Sequence, residues 1–327
     1  MLGALQLLRQ SPGRNNLLHR WVLAGFLLCL AACANGLPGT VASATSCPLD
    51  RQASFPVESR VNLLFASVLI DGKPARLVLD TGADRTMITE TAAARLDLVR
   101  DPRRITRLEG VGGVTTNREA NTNTIVLGSG MVRGLGLTVG RLGQDQIDGL
   151  PVDGLLGVDI LSAFDVEIDP LQGQVTLYRA RPCVDALPPW NEPFLSVSST
   201  GMSRGRMLVP ITLDGVTDLA ILDTGAQVSS VTEALALRTG VTPQMLMLDP
   251  VGRSRGASDT SVATHAHRFR TLQIGNTLID NPVMAVLPLP GQVGALLGAN
   301  YLRGRKIWLS FASRRFFLAE PLSMSQR

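Results

Sequence analysis

The alternation of apolar and polar residues along this chain is that of short strands. "RVNLLFASVLIDGKPARLVLD", residues 60–80, alternates on both sides of Asp71-Gly72, a strong two-residue hairpin signal. "MLVPITLDGVTDLAILD", residues 207–223, predicts the same hairpin turning at Asp214-Gly215. Each aliphatic run stops at Asp-Thr-Gly-Ala, in "LVLDTGADRTMITE" (77–90) and "LAILDTGAQVSSVTE" (219–233). A short helix is expected after each motif, over residues 89–96 and 232–240, the second closed by Gly240. Gly-rich hairpins follow at 108–120 ("LEGVGGVTTNREA") and 251–263 ("VGRSRGASDTSVA"). Then come "DGLLGVDIL" (153–161) and "GALLGANYL" (294–302), each with a further helical turn.

The chain therefore repeats itself. Asp80 answers Asp223 at an offset of 143 residues. Gly72 and Gly215 respect that offset, Gly112-Gly113 is answered by Gly256, and the Leu-Leu-Gly elements match with a slip of two. A repeat of this length is a domain-sized duplication. The expected fold is mostly β, with two tandem lobes at 57–180 and 206–320 and few short helices. Residues 181–205, rich in Pro and Ser, read as a linker between them.

Composition narrows the function. Of 327 residues 45% are hydrophobic and 18% charged, as in a globular protein. Aromatics reach only 4%, so the core is expected to be mainly Leu, Val, Ile and Ala. Arg9, Arg14 and Arg20 fall in a segment expected to be removed. Without them 28 basic residues face 27 acidic ones, and a net charge of +1 is no footprint for nucleic acid. Only His265 and His267 lie beyond residue 20, which argues against a His-rich metal site or a Ser-His-Asp triad. No metal or cofactor is expected.

The N-terminus reads as an export signal over residues 1–32. Basic residues precede "WVLAGFLLCLAACA", about the length of a signal core and short for a membrane span. Leu30-Ala31-Ala32-Cys33 resembles the lipobox of bacterial lipoproteins, which implies acylation of Cys33 and a lipidated linker over 33–56. Ala34 after the cysteine implies the outer membrane, on its periplasmic side. A plain secretory signal, cut after Ala34 or at Ala42–Ala44, is the alternative. Cys29 goes with the signal. Cys47 and Cys183 remain for one disulfide, or for two buried thiols.

Asp-Thr-Gly-Ala after an aliphatic strand, then a Gly-rich hairpin, then aliphatic-aliphatic-Gly before a helical turn, resembles a retropepsin-type aspartic protease. The resemblance covers residues 57–320 and implies two retropepsin-like β-barrel lobes enclosing a pepsin-like cleft. It implies a catalytic pair, Asp80 and Asp223. Thr81 and Thr224 would lock the opposite loops together, with Gly82 and Gly225 leaving room for backbone amides to approach the carboxylates and for the tight turn. Gly110, Gly112 and Gly113 would form a flap tip over an extended peptide, with Asp84 and Gln227 at opposite ends of the cleft. The hairpin around Gly256 could be a second flap or only a loop. Ala83 and Ala226 replace the hydroxyl residue usual in pepsin-like enzymes, which implies a dyad that holds its proton to higher pH. The arginine of the retroviral Gly-Arg-Asn is absent, its slots being Val158-Asp159 and Ala299-Asn300. The arginine support of the seam is therefore expected to be missing.

The function so implied is a monomeric aspartic endopeptidase acting on a peptide or protein and anchored to the membrane by lipid. A catalytically silent peptide-binding lipoprotein is the rival, separable by whether the wild-type chain cleaves anything. A structural envelope lipoprotein whose motifs are mere turns is the third reading; the matched Leu-Leu-Gly elements argue against it.

Overall fold

The computed structural model describes residues 49–179, 187–256, 260–289, 293–302 and 304–320. The export segment, Cys33, Cys47 and Cys183 lie outside those residues.

Both expected hairpins form. Leu63–Ile70 pairs with Lys73–Leu79, closing with Ile70 opposite Lys73, and Arg206–Leu213 pairs with Val216–Leu222, closing with Leu213 opposite Val216. Asp71 and Gly72 take φ of 47° and 80°, and Asp214 and Gly215 take 48° and 85°. This left-handed pair matches the twist of the flanking strands. The turn aspartates also stitch in a further strand. Asp71 Oδ1 accepts from the Asn123 and Thr124 amides at 2.9 and 2.8 Å, and Asp214 Oδ1 from Arg270 and Thr271 at 2.8 and 2.7 Å. Along Arg206–Leu213 the residues Met207, Val209, Ile211 and Leu213 are buried and those between are half-buried, the period-two pattern read from the sequence.

The Thr-Glu pair ending each motif starts a helix. Thr89 caps Glu90–Arg95 by accepting from the Ala92 amide at 3.1 Å, and Thr232 caps Glu233–Arg238 by accepting from Leu235 at 3.0 Å. Thr89→Ala should cost about 1 kcal/mol, read as a lower urea midpoint at unchanged slope. Gly240 ends the second helix at φ 94°. A turn of helix at Pro243–Leu246, capped by Thr242, was not expected from the sequence.

Each Leu-Leu-Gly element threads through its own lobe. Gly154–Leu156 lies parallel to Lys73–Leu79 and antiparallel to Met87–Thr89. Ala295–Leu297 takes the same place between Val216–Leu222 and Ser230–Thr232. A hairpin follows in each lobe, Phe164–Asp169 with Gln174–Arg179 and Ile307–Ser310 with Arg315–Ala319. The two hairpins pair with one another, Asp165 opposite Ser310 through Ile168 opposite Ile307. The lobes are thus joined by a continuous backbone ladder.

Arg51–Arg60 extends that sheet at one end and Phe194–Ser198 at the other, giving six strands. Two expected boundaries therefore move. Residues 51–56, expected in the N-terminal linker, are strand. The expected linker 181–205 contains Phe194–Ser198 and Gly201–Ser203, the latter paired with Arg206–Leu213. "FLSVS" alternates as a strand should, and the surrounding prolines and serines hid it. Each lobe core is chiefly aliphatic as expected, but Trp308, Phe316 and Phe317 are fully buried in the six-stranded sheet.

Candidate active site

Each Asp-Thr-Gly-Ala loop begins where a buried strand ends against its Leu-Leu-Gly element. The Asp80 amide donates to the Leu156 carbonyl at 3.0 Å and the Asp223 amide to the Leu297 carbonyl at 2.9 Å. The loop then curls around its own carboxylate. Asp80 Oδ1 accepts from the Gly82 and Ala83 amides, both at 2.9 Å, and Asp223 Oδ1 from Gly225 and Ala226 at 2.9 and 3.0 Å. An aspartate turn of this kind was legible in the sequence; its coupling to a second aspartate depends on how the lobes dock.

Docking is done by the threonines. Thr81 Oγ1 donates to the Leu222 carbonyl at 2.7 Å and accepts from the Thr224 amide at 3.1 Å. Thr224 Oγ1 does the reciprocal at Leu79 and Thr81, at the same two distances. Both threonines are buried, so these four bonds are shielded from water. Glycine is then required on each side. A Cβ built on Gly82 would fall inside the Asp223 carboxyl group, and one on Gly225 inside that of Asp80.

The two carboxyls come together across the seam, each lying against the glycine of the opposite loop. Burial raises the Asp80 pKa well above the ordinary carboxylate range, helped by the Asp223 charge and the bond to it. Burial also raises Asp223, opposed by its bond with Asp80, the Gly225 and Ala226 amides and the Arg206 charge. Ala83 and Ala226 contribute backbone amides here and no hydroxyl. The pair as a whole, rather than either acid, carries the proton.

A stability effect follows. Between the ordinary aspartate pKa of 3.8 and the raised one, the folded chain binds more protons than the unfolded chain. Stability contributed by the protonated dyad is thus full below that ordinary pKa and lost as pH rises through the raised value. Asp80→Asn can keep both amide bonds while removing the buried charge. Its melting temperature should exceed wild type at neutral pH by at least about 2 °C and converge with it in acid, as scanning calorimetry would show.

Behind each loop lie three hydrogen bonds that sequence reading missed. Asp159 Oδ1 accepts from the Thr86 amide at 2.9 Å and its hydroxyl at 2.6 Å, and Thr86 Oγ1 accepts from the Gly157 amide at 3.1 Å. Asn300, Ser229 and Gly298 repeat the arrangement at 2.6, 2.8 and 3.0 Å. The available signal was Thr86 and Ser229 standing at the repeat offset.

The slots after Leu-Leu-Gly carry no arginine, but two arginines from another turn reach the first motif. Arg204 Nη1 lies 3.4 Å from Asp84 Oδ2, and Arg206 Nη1 donates to the Gly82 carbonyl at 3.3 Å. Both arginines come from the second lobe, at the turn between Gly201–Ser203 and Arg206–Leu213. That turn follows the stretch read as a linker, so its pairing with Asp84 could not be seen from the slots after Leu-Leu-Gly. On the other side Asn62 Nδ2 reaches the Gln227 carbonyl at 3.4 Å, so Asp84 and Gln227 are each met by a turn of the opposite lobe.

Arg100–Gly110 and Gly113–Leu127 form the expected Gly-rich hairpin. Gly110 stands opposite Gly113 with Val111-Gly112 at the tip, where φ is 94° at Gly112 and 112° at Gly113. Val251–Ser254 and Val262–Arg268 form the second hairpin. Its Gly256 sits so close to the Val111 carbonyl that a Cβ would come within 2.7 Å, and its carbonyl accepts from the Gly143 amide at 3.2 Å. The second hairpin thus reaches the tip of the first at Gly256. Among the described residues no group of three His, Cys, Asp or Glu is placed to hold a metal.

Comparison with known proteins agrees with this geometry. The family model described as aspartyl protease matches residues 66–160 and 209–301, one match per lobe, and the chain belongs to that family. The crystal structure of an aspartic proteinase from Irpex lacteus superposes with a TM-score of 0.52, covering 82% of this chain and 97% of that one. At 13% identity it speaks for the fold alone. No curated protein matches the sequence significantly.

Proposed function

We propose that this chain is an aspartic endopeptidase whose catalyst is the Asp80–Asp223 dyad. The supporting observation is the pair of buried carboxyls brought together, each against the opposite loop's glycine, between lobes held by Thr81 and Thr224. Two carboxyls in contact cannot both ionise, so one keeps a proton. The ionised member takes a proton from a water that attacks the scissile carbonyl, and the protonated member hydrogen-bonds that carbonyl's oxygen as charge develops. The substrate peptide lies extended beneath the flap and pairs its backbone with it.

One chain supplies both halves, so the enzyme works as a monomer. We further propose export by residues 1–32 and attachment to the outer membrane through an acylated Cys33, facing the periplasm. Radiolabelled palmitate should label the wild-type chain in cells and not Cys33→Ser.

The test is a peptide-library digest by the purified chain, with Asp223→Asn as control and a transition-state inhibitor of aspartic proteases. Cleavage abolished by both is expected. Peptide binding with no cleavage by wild type would favour a silent binding module instead. Because burial raises both acids and neither motif supplies a hydroxyl, kcat/KM should peak in mildly acidic to near-neutral solution and fall as the shared proton is lost. A maximum in strong acid would contradict this.

A further inference from the structure

Between the residues that follow the first Asp-Thr-Gly-Ala motif and the Gly-rich hairpin of the first lobe lies a cavity of about 530 Å³. It is bounded by Asp84-Arg85 after the motif, Ile105–Arg107 and Glu119 of the flap, the helical turn at Asp159, and Arg204 from the opposite lobe. Its acids are occupied or shut away. Glu119 is held by Arg104 at 2.9 Å and by the Thr106 hydroxyl, and its side chain is 8% exposed. Asp159 is bound to Thr86, and its other oxygen is buried beyond the reach of solvent. Asp84 is 17% exposed beside Arg204, which is 52% exposed.

The basic groups are not occupied in this way. Arg85 and Arg107 are exposed, and neither makes a hydrogen bond or a close ion pair with a described residue, though the Arg85 charge acts on the buried Asp159 carboxyl. What the cavity offers to solvent is therefore guanidinium. Among the described residues, the equivalent positions of the second lobe lack these charges. Gln227 and Val228 stand where Asp84 and Arg85 do, Asn300 stands for Asp159, and Val61 stands for Arg204 at the same 143-residue offset.

We propose that this cavity is a subsite for an acidic side chain of the substrate, with Arg107 and Arg85 as specificity-determining residues, so that a bound peptide has one preferred direction. This rests on the proposed protease activity and adds the chemistry of its substrate. A guanidinium fork matches a carboxylate and repels a lysine, and an exposed pairing of this kind weakens with salt.

The test uses labelled peptides built on a sequence that the wild type cleaves or, where it cleaves none, on one that it binds, carrying Glu, Gln or Lys singly at each position. At one position on one side, Glu should exceed Lys in kcat/KM by about 10-fold. The preference should shrink in high salt and reverse in Arg107→Glu. Arg85→Gln should reduce it without reversal, and a melting temperature within about 2 °C of wild type would show that each variant is folded. In parallel, anisotropy of the same labelled peptides with Asp80→Asn reads binding without cleavage. Cleavage with no charge preference, or a preference indifferent to Arg107→Glu, overturns the subsite and leaves the protease reading intact. Selective binding of the Glu peptide with no cleavage by wild type sustains the subsite and overturns the protease reading.

Discussion

Asp80→Asn is expected to lower kcat for peptide cleavage by at least about 10³-fold while KM changes little. An asparagine side chain can accept the Gly82 and Ala83 amides as Asp80 Oδ1 does, so the loop keeps its shape. What is lost is the ability of the pair to hold one proton and one charge. Asp223→Asn should do the same, and the double variant should be scarcely worse than either single one, because the two acids act as a unit. A steady-state assay on one cleaved peptide checks all three. Residual activity within 10-fold of wild type in either single variant would remove the dyad from the mechanism.

Thr81→Val is expected to cost about 2–5 kcal/mol of stability. The replacement is nearly isosteric, so packing is kept, but the hydroxyl serves two buried partners. Without it the Leu222 carbonyl and the Thr224 amide lose their bonds in a dry seam, each at about 1–3 kcal/mol. The penalty falls on the join between the lobes, so kcat should drop as the carboxyls lose registry. Thr81→Ser keeps the hydroxyl and should stay within about 1 kcal/mol of wild type. Urea unfolding of the three proteins separates these outcomes. Equal midpoints for Val and wild type would mean that the hydroxyl contributes nothing to the seam.

Much of this was legible in the sequence because it is local or repeated. Asp71-Gly72 and Asp214-Gly215 fix hairpins by backbone geometry alone, and Thr89 and Thr232 mark helix starts by capping chemistry. The duplication then allowed one weak motif to vouch for the other, which is why Asp80 and Asp223 stood out. What stayed hidden depends on long-range pairing. The six-stranded sheet joins Asp165–Ile168 to Ile307–Ser310, and no periodicity announces a partner so distant. Arg204 and Arg206 were concealed differently, since a charge on a turn carries no mark of which lobe it will touch. Thr86 with Asp159 and Ser229 with Asn300 lay between these cases, repeated but built from polar residues that read as loop.

The central claim is that two acids far apart in sequence share one proton. Carboxyl ¹³C NMR of the aspartate-labelled chain across pH, with Asp80→Asn and Asp223→Asn for assignment, measures this directly. The account predicts that Asp80 and Asp223 titrate in two separated steps, the upper one well above the ordinary aspartate range, and that removing either acid collapses the steps to one. Two independent titrations near the ordinary value, each unchanged by loss of the other, would contradict it.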